Sequence, residues 1–383
     1  MEDISLFFQP VDIDGPLDEG SMAGHISSYI EEDSFPDVSA PGVAIIEVPE
    51  YRNSQHSPKR GGDFRRLLYS LKMGANWEGA IYDLGIIKPG ETVKDTFHAL
   101  AQVSSTLIRN NVTPIVIGGS QDLTIGLYNS YNKLEQYVNL TTIDSKFDFG
   151  TIEVAANAHA WLSHILLDKD CYLFNYSNLG AQSHFLSKKE LSLFDQLYFD
   201  VNRLGRLSED IKLAEPVLRN TDFVSFDLEV IRSSDIGGEF YDNPNGIFAN
   251  QACQISRYAG ISDKLTSFGI FNYYPSEKTK VVCNLVAQLI WYFIDGYENR
   301  KSDFPLGSKK LYKKFRVSLD DFKEEILFLK SDKSARWWME VPYPDSKGKY
   351  QRHHLVPCSY KDYELTMKGE MPDLWWKTYQ KLV

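Results

Sequence analysis

The sequence is poor in cysteine and in net positive charge. Only four cysteines occur in 383 residues, and no two of them have the C-x-x-C spacing of metal-binding or redox motifs. Scattered cysteines of this kind predict reduced thiols and a cytoplasmic protein, not a disulfide framework. The formal net charge of −11 argues against a nucleic-acid-binding surface, which needs clustered lysine and arginine. We therefore expect no nucleic acid among the partners.

The sequence also lacks the segments that direct a chain to a membrane. The N-terminal residues "MEDISLFFQP" are acidic and have no cationic stretch followed by a long apolar one, so no signal peptide is predicted. The most apolar segment, residues 281–294, contains Asn284 and Gln288. It is also shorter than the roughly 20 residues that a membrane span needs. We predict a buried core helix there and no membrane span.

Short apolar runs alternate with helical segments along most of the chain. The runs are continuously apolar, as in parallel strands that are covered on both faces. Between them lie segments such as residues 91–110, where apolar side chains recur with helical period. This order predicts an α/β domain, built either as an open doubly wound sheet or as an eight-fold barrel. The predicted strands are residues 42–48, 80–84, 113–118, 139–144, 171–176, 196–201, 223–228 and 265–271.

Two flanking segments lie outside the α/β domain of residues 41–304. Residues 1–40 are rich in Asp, Glu, Ser, Gly and Pro and are predicted to form a loosely structured N-terminal arm. Residues 305–383 form a C-terminal extension with an aromatic-rich composition. In it the segment "SLDDFKEEILFLK", with Ser318 as N-cap, predicts a helix.

Four tryptophans distinguish the C-terminal extension. This amount of apolar surface predicts packing on the core or on a neighbouring subunit. The alternative is a protein partner bound through the same aromatic region. The tryptophans are Trp337, Trp338, Trp375 and Trp376.

Polar side chains follow three of the predicted strands. The pair Gly118 and Gly119 after the third strand permits close approach of the backbone to a neighbouring group. Because the carboxyl ends of parallel strands meet at one edge of a sheet, the polar side chains are expected to face one cleft. They are Gln121 after the third strand, Asp144, Lys146 and Asp148 after the fourth, and Asp227 and Glu229 after the seventh.

The order of these motifs resembles the ureohydrolases, the family of arginase, agmatinase and formiminoglutamase. In that family the motifs read Gly-Gly-Asp-His-Ser, Asp-Ala-His-x-Asp and Ser-x-Asp-x-Asp, and together they hold two manganese ions. Here they read "GGSQD", "DSKFD" and "SFDLE". The resemblance spans about residues 42–296. It implies a three-layer fold with a mostly parallel eight-stranded sheet instead of a barrel, and a homo-oligomer.

By this resemblance, two metal-binding positions carry poor ligands. Gln121 occupies the position of the first metal-binding histidine, and Lys146 occupies that of the second. The last aspartate of the family is replaced by Glu229, which is one methylene longer. The remaining carboxylates of the metal site match the family, and they are Asp144, Asp148 and Asp227.

The resemblance assigns two further residues. Asn272 stands where arginase-like sequences have a glutamate that orients the guanidinium substrate, so it is assigned to substrate binding. His159, in "NAHAW", resembles the family's loop histidine that shuttles protons. It is a catalytic candidate only if the protein is active, and a histidine at a helix start is more often structural.

These replacements predict the loss of the two-metal centre. The family's nucleophile is a hydroxide that bridges two cations, because bound metals lower the pKa of water. We therefore expect no bound cofactor and a non-catalytic scaffold or binding protein. The first alternative is a hydrolase of a C–N bond in a formimino, guanidino or amidino substrate, with one weakly held Mn or Mg ion on oxygen ligands. The second is an unrelated α/β enzyme.

Lys146 is predicted to substitute for the missing cation. Convergent carboxylates repel one another by about 4 kcal/mol per pair at 4 Å and an effective dielectric of 20. An ammonium among Asp144, Asp227 and Glu229 would reduce this repulsion. The alternative is that the lysine side chain points away into solvent.

Overall fold

The protein folds into a large sheet covered by helices, followed by a smaller sheet. The computed structural model describes residues 3–13, 20–57, 64–75, 77–150, 155–169, 171–275, 280–305, 309–319, 325–343 and 353–382. The strands in these residues are β1 (Phe8–Gln9), β2 (Ile26–Ser28), β3 (Gly42–Val48), β4 (Ala80–Ile87), β5 (Val112–Gly118), β6 (Val138–Ile143), β7 (Leu173–Ala181), β8 (Asp200–Arg203), β9 (Phe223–Asp227), β10 (Ser267–Phe271), β11 (Tyr312–Val317), β12 (Ile326–Ser331), β13 (Trp337–Pro342) and β14 (His353–Cys358). The α-helices are α1 (Phe64–Ser70), α2 (Val93–Arg109), α3 (Leu123–Lys133), α4 (Leu162–Leu166), α5 (Lys188–Gln196), α6 (Leu204–Glu209), α7 (Ala214–Arg219), α8 (Ser233–Ile236), α9 (Ala249–Ile261), α10 (Val281–Glu298), α11 (Tyr360–Met367) and α12 (Asp373–Leu382).

The large sheet is open and mostly parallel. Its order is β1-β4-β3-β5-β10-β9-β6-β7-β8, and β2 also pairs with β4. The pairing of β1 with β4 is antiparallel, and the other pairings are parallel. Each of the eight predicted strands overlaps one of the strands β3 to β10. The predicted parallel sheet is therefore confirmed, and the barrel alternative is wrong because β1 and β8 lie at opposite edges.

Helices cover both faces of this sheet because its strands are apolar on both faces. Ile45 in β3 contacts a core that includes α1, α9 and α10. Its neighbours Ala44 and Ile46 contact a second core that includes α2 and α3. Successive strand residues point to opposite faces, so the two cores make three layers. Within the described ranges, no helix combines the length and the apolarity that crossing a membrane requires.

The N-terminal residues are more ordered than the predicted arm. In the described part of residues 1–40, β1 and β2 both pair with β4 and extend the sheet. Phe8 and Met22 are buried, as is Tyr29, whose backbone N–H donates to the Asp83 carbonyl O at 2.9 Å. The prediction of a loose arm is wrong here because buried apolar side chains hold these residues to the sheet edge.

The C-terminal extension forms a four-stranded antiparallel sheet, β11-β12-β13-β14, followed by α11 and α12. The helix predicted in "SLDDFKEEILFLK" is wrong in its second half, where Ile326–Ser331 is strand β12. The rest of it includes residues 320–324, which lie outside the described residues. Strand β12 pairs with β11 on one side and β13 on the other, and Ile326 and Phe328 are buried. Pairing with two neighbours outweighs the local helical spacing.

Most of the tryptophan surface in the extension is buried within it or against the core. The indole N–H of Trp375 donates to the Glu340 carbonyl O at 3.0 Å. Trp376 differs, because 49% of its surface is exposed. The buried tryptophans are Trp337, Trp338 and Trp375.

A buried arginine links the extension to the α/β core. Arg219, the last residue of α7, donates from Nη1 to the Trp337 carbonyl O at 2.9 Å and from Nη2 to the Cys358 carbonyl O at 3.1 Å. Its guanidinium lies 4.5 Å from the centroid of the Trp338 ring. Its Nε is 3.1 Å from Glu215 Oε1. One core side chain thus satisfies two carbonyls of the extension.

We expect Arg219→Met to lower the free energy of unfolding by about 3 kcal/mol, because the carbonyls of Trp337 and Cys358 lose their donors and each unsatisfied buried acceptor costs about 1–3 kcal/mol. Glu215 keeps its pairing with Arg336 in this variant. Denaturant titration followed by tryptophan fluorescence measures the change. Arg316→Met is the control, because the Arg316–Glu325 pair is 66% and 50% exposed and should contribute at most about 1 kcal/mol. Equal losses for the two variants would contradict this role of Arg219.

Candidate functional site

The candidate site lies where four neighbouring parallel strands end. β5, β10, β9 and β6 are consecutive in the sheet, so their carboxyl ends share one edge. Each residue predicted for the metal site is at the end of one of these strands or shortly after it. The structure therefore brings together Gln121, Asp144, Lys146, Asp148, Asp227, Glu229 and Asn272.

The turn after β5 requires glycine because the chain that follows β3 crosses it closely. A Cβ on Gly119 would lie 2.2 Å from the Glu50 carbonyl O. The next backbone N–H, of Ser120, donates to that same carbonyl at 2.8 Å. This close approach fixes the start of the turn that carries Gln121, whose backbone N–H donates to Asn272 Oδ1 at 3.1 Å.

Three buried aspartates form the centre of the site. Oxygen atoms of Asp144, Asp148 and Asp227 lie within 4.8 Å of one another, and each residue is at most 5% exposed. Gln121 Nε2 donates to Asp144 Oδ2 at 3.1 Å. Asn272 Nδ2 donates to Asp227 Oδ1 at 2.9 Å. These side-chain donors are neutral amides, so they orient the carboxylates without cancelling their charge.

Burial and repulsion by neighbouring carboxylates disfavour the charged forms of Asp144 and Asp227. Burial, followed by the charges of Asp148 and Asp227, raises the pKa of Asp144 well above its ordinary value. Burial, followed by the charges of Glu229 and Asp148, does the same to the pKa of Asp227. Carboxyl groups in this state either bind protons or need a cation.

Lys146 lies at the mouth of the site instead of at its centre. Its Nζ is 4.0 Å from Glu229 Oε2, at the outer limit of an ion pair, and its side chain is 36% exposed. No other described carboxylate reaches that distance, including Asp144 and Asp227. Burial lowers the pKa of Lys146, but Glu229 and the aspartates outweigh this effect and raise it. The ammonium is therefore charged and beside Glu229.

His159 precedes α4 and faces the aspartates. Its Nδ1 lies 3.7 Å from Asp148 Oδ1. Interaction with the Asp148 carboxylate raises the pKa of His159, although burial opposes the change. The backbone N–H of His159 donates to Asn157 Oδ1 at 2.9 Å, which orients the loop. This position suits either a proton carrier or a structural partner of Asp148.

Asn272 lies beneath the cleft and does not line it. It is fully buried, and its amide is occupied by Asp227, by the Gln121 backbone and by Tyr274. The Tyr274 hydroxyl donates to Asn272 Oδ1 at 2.9 Å, and the Tyr241 hydroxyl donates to the Asn272 carbonyl O at 2.9 Å. In this arrangement Asn272 joins the ends of β5, β9 and β10 instead of contacting a ligand.

A cleft of about 500 Å³ opens above the aspartates. Lys146, His159 and Glu229 line it. Sequence reasoning missed His56 and Phe240, which also line it and whose rings are 5.1 Å apart. The cleft has aromatic walls and charges of both signs. The segment "NYYP", which follows β10, supplies part of this aromatic wall, since the ring of its second tyrosine, Tyr274, lies 5.2 Å from the His56 ring.

The donor set fits one hard cation but not two. Gln121 Oε1 and Asp148 Oδ2 are buried atoms without a hydrogen-bond partner in the described residues. With oxygens of Asp144 and Asp227, they could hold one Mg²⁺ or Mn²⁺ through oxygen alone. A second cation beside Glu229 does not fit, because the Lys146 ammonium already pairs with that carboxylate.

Comparisons with known proteins agree with the fold. The family model described as the arginase family matches residues 59–295. A formimidoylglutamase from Streptococcus gordonii is 23% identical over 232 residues, which cover 55% of this chain and 69% of that protein.

Solved structures resemble this chain over most of their own length. A Trypanosoma cruzi formiminoglutamase solved with Mn²⁺ has a TM-score of 0.63 and 17% identity, covering 73% of this chain and 99% of that one. The Bacillus subtilis formimidoylglutamase has a TM-score of 0.62 and 14% identity, covering 76% and 95%. With the family match extending over more than half of its residues, the chain belongs to the arginase family.

Proposed function

We propose that this chain is a formiminoglutamase-like member of the arginase family that has lost the two-metal centre and acts as a non-catalytic binding protein. The observation that carries the proposal is the Lys146 ammonium, which lies 4.0 Å from Glu229 where the second cation would have its ligands. A divalent cation and an ammonium about 4 Å apart repel by about 8 kcal/mol at an effective dielectric of 20. The lysine therefore opposes a second metal ion both as a lost ligand and as a charge.

Loss of the second cation removes the family's nucleophile. Two cations sharing one water make a hydroxide available near neutral pH. A single cation at Asp144, Asp148 and Asp227 would supply less acidification of water and no second Lewis acid. The cleft of about 500 Å³ remains large enough for a small ligand. A binding role needs only this cleft and its charges.

The second candidate is a hydrolase of a C–N bond in a linear amidine, using one hard cation. The three aspartates within 4.8 Å favour it. When bound, a cation there would polarise a carbonyl or a water. His159, 3.7 Å from Asp148, is placed to move a proton at its imidazole.

We also propose a cytoplasmic location and a contact surface on the extension. No disulfide joins the four cysteines, all of which lie in described residues, and this supports a reducing cytoplasm. The exposed Trp376 on α12 supports contact with a neighbouring subunit or a protein partner through the extension.

We expect the protein loaded with Mn²⁺ and then desalted to retain at most one manganese ion per chain, measured by elemental mass spectrometry. The same protein should show no arginase, agmatinase or formiminoglutamase turnover, against about 10 s⁻¹ for a median enzyme. The double variant Gln121→His with Lys146→His should raise retained manganese towards two ions per chain. Asp148→Asn in the wild-type background is the control and should lower it.

Two manganese ions per wild-type chain would overturn the proposed function, as would manganese-dependent release of urea or formamide. One retained ion together with measurable hydrolysis would instead support the second candidate. An unchanged manganese content in the double variant would show that Lys146 is not what excludes the second ion.

We expect Asp227→Asn to raise the melting temperature of the metal-free protein at pH 8. The raised pKa of Asp227 means that folding favours its protonated form. The free energy of unfolding of the metal-free protein is then greatest below a pH of about 4, the ordinary pKa of aspartate. It falls as the pH rises through the pKa that Asp227 has in the folded state. The increase in melting temperature caused by Asp227→Asn should therefore be smaller at pH 5 than at pH 8. Asparagine keeps the acceptor oxygen for Asn272 and removes one repelling charge.

The matched control is Asp83→Asn at a buried aspartate that has a cation. Asp83 Oδ2 lies 2.9 Å from Arg65 Nε and accepts from the Tyr69 hydroxyl at 2.9 Å. This substitution should lower the melting temperature, because it leaves a buried guanidinium underpaired. If both variants lower it equally, repulsion among the aspartates is not a determinant of stability.

A further inference from the structure

A second cavity lies between the α/β core and the C-terminal extension. Its volume is about 380 Å³, within the roughly 300–1,000 Å³ of small-molecule sites. Strands β7 and β8 and helices α6 and α7 form one wall, and α11 and α12 form the other. It shares no lining residue with the cleft above the aspartates. The family match ends at residue 295, so the second wall comes from the part of the chain beyond that match.

Polar side chains on β7 and on the edge strand β8 form part of its lining. Ser177 in β7 is paired in register with Asp200 in β8, and Asn175 precedes Ser177 by two residues on the same face. Asn175 and Ser177 are 7% and 3% exposed. Asn175 Nδ2 is 3.2 Å from Ser177 Oγ and 3.5 Å from Asp200 Oδ2. These buried polar side chains bond to one another within the wall.

Helix α12 brings two lysines to this polar surface. Lys377 Nζ donates to Asp200 Oδ1 at 3.3 Å, and Lys381 donates to Asn175 Oδ1. Burial lowers the pKa of Lys381 to about 8. The polar surface is thus fixed by contacts across the two walls, and the cavity exists only while the extension is docked.

Exposed side chains of opposite charge on the two walls have no partner among the described residues. Arg206 on α6 lines the core wall, and no described residue pairs with its guanidinium. Glu370 and Asp373 line the extension wall, and their carboxylates have no described partner either. Although both walls line one cavity, these groups do not reach ion-pair distance of one another. A ligand with one charge only would leave one wall unmatched.

We propose that this cavity binds a free amino acid with an apolar side chain. Its carboxylate would pair with the Arg206 guanidinium, since arginine is suited to carboxylates. Its ammonium would bind the carboxylates of Glu370 and Asp373. Val217 from the core and Leu374 from the extension supply apolar contacts for the side chain. This inference does not depend on the function proposed for the cleft.

Calorimetric titration of the full chain with L-leucine tests the proposal. We expect saturable binding of one L-leucine per chain. Two analogues, 4-methylpentanoate without the ammonium and isopentylamine without the carboxylate, should each bind at least about tenfold more weakly, as expected for loss of a charge-assisted contact. Arg206→Met should weaken L-leucine binding by a similar factor. Arg203→Met, three residues away on an exposed side chain that does not line the cavity, should not.

Three results would overturn the proposal. The first is the absence of saturable heat with millimolar L-leucine. The second is equal affinity for L-leucine and either analogue, which would show that the two charged walls are not both used. The third is an equal effect of Arg206→Met and Arg203→Met, which would place any binding outside this cavity. Because both arginines are exposed, neither substitution threatens the fold.

Discussion

The crowding of three aspartates at the ends of β6 and β9 is the constraint on which the candidate site depends. Their oxygens lie within 4.8 Å of one another in a buried position. Such a cluster cannot be fully ionised without a cation, because each close pair costs several kcal/mol. Within the described residues, three features accompany this crowding. Neutral amides donate to two of the carboxylates, the pKa values of Asp144 and Asp227 are raised, and one ammonium lies at the mouth of the site.

The fold and the chemistry of this site are separable. The sheet order β5-β10-β9-β6 fixes where the strand ends meet, whatever residues the turns carry. Gln121 and Lys146 lie in the turns that follow two of these strands, and the chain matches the arginase family model. Function lies in the site and not in the fold, so the family alone does not assign a reaction to this chain.

The main strands were predictable from the sequence because they are continuously apolar and buried on both faces. β1 and β2 were missed because they have two and three residues, too few to show a period. β12 was missed because "EEILFLK" has helical spacing, and pairing with two neighbouring strands decided its conformation. Local propensity loses to tertiary pairing in such short segments.

The sequence predicted which residues lie in the candidate site, but not how deeply each of them is buried. The motifs identified the aspartates that converge, since their carboxylates follow strands that lie side by side. They did not indicate that Asn272 is fully buried or that Lys146 is partly exposed, because depth depends on how loops cover the strand ends. His56 comes from a loop far away in sequence, and no local pattern marks it.

The two cavities differ in how their charges are balanced, and this difference separates their roles. The cleft has an excess of carboxylates above a buried acidic centre, with Lys146 near only one of them. The cavity under the extension has Arg206 on one wall and acidic residues on the other. The first arrangement favours a cation or a proton, and the second favours a ligand that carries both charges. Because α12 forms part of the second cavity and covers the β8 edge through Lys377 and Asp200, a ligand bound there would also stabilise the docking of the extension, since it binds only the docked state.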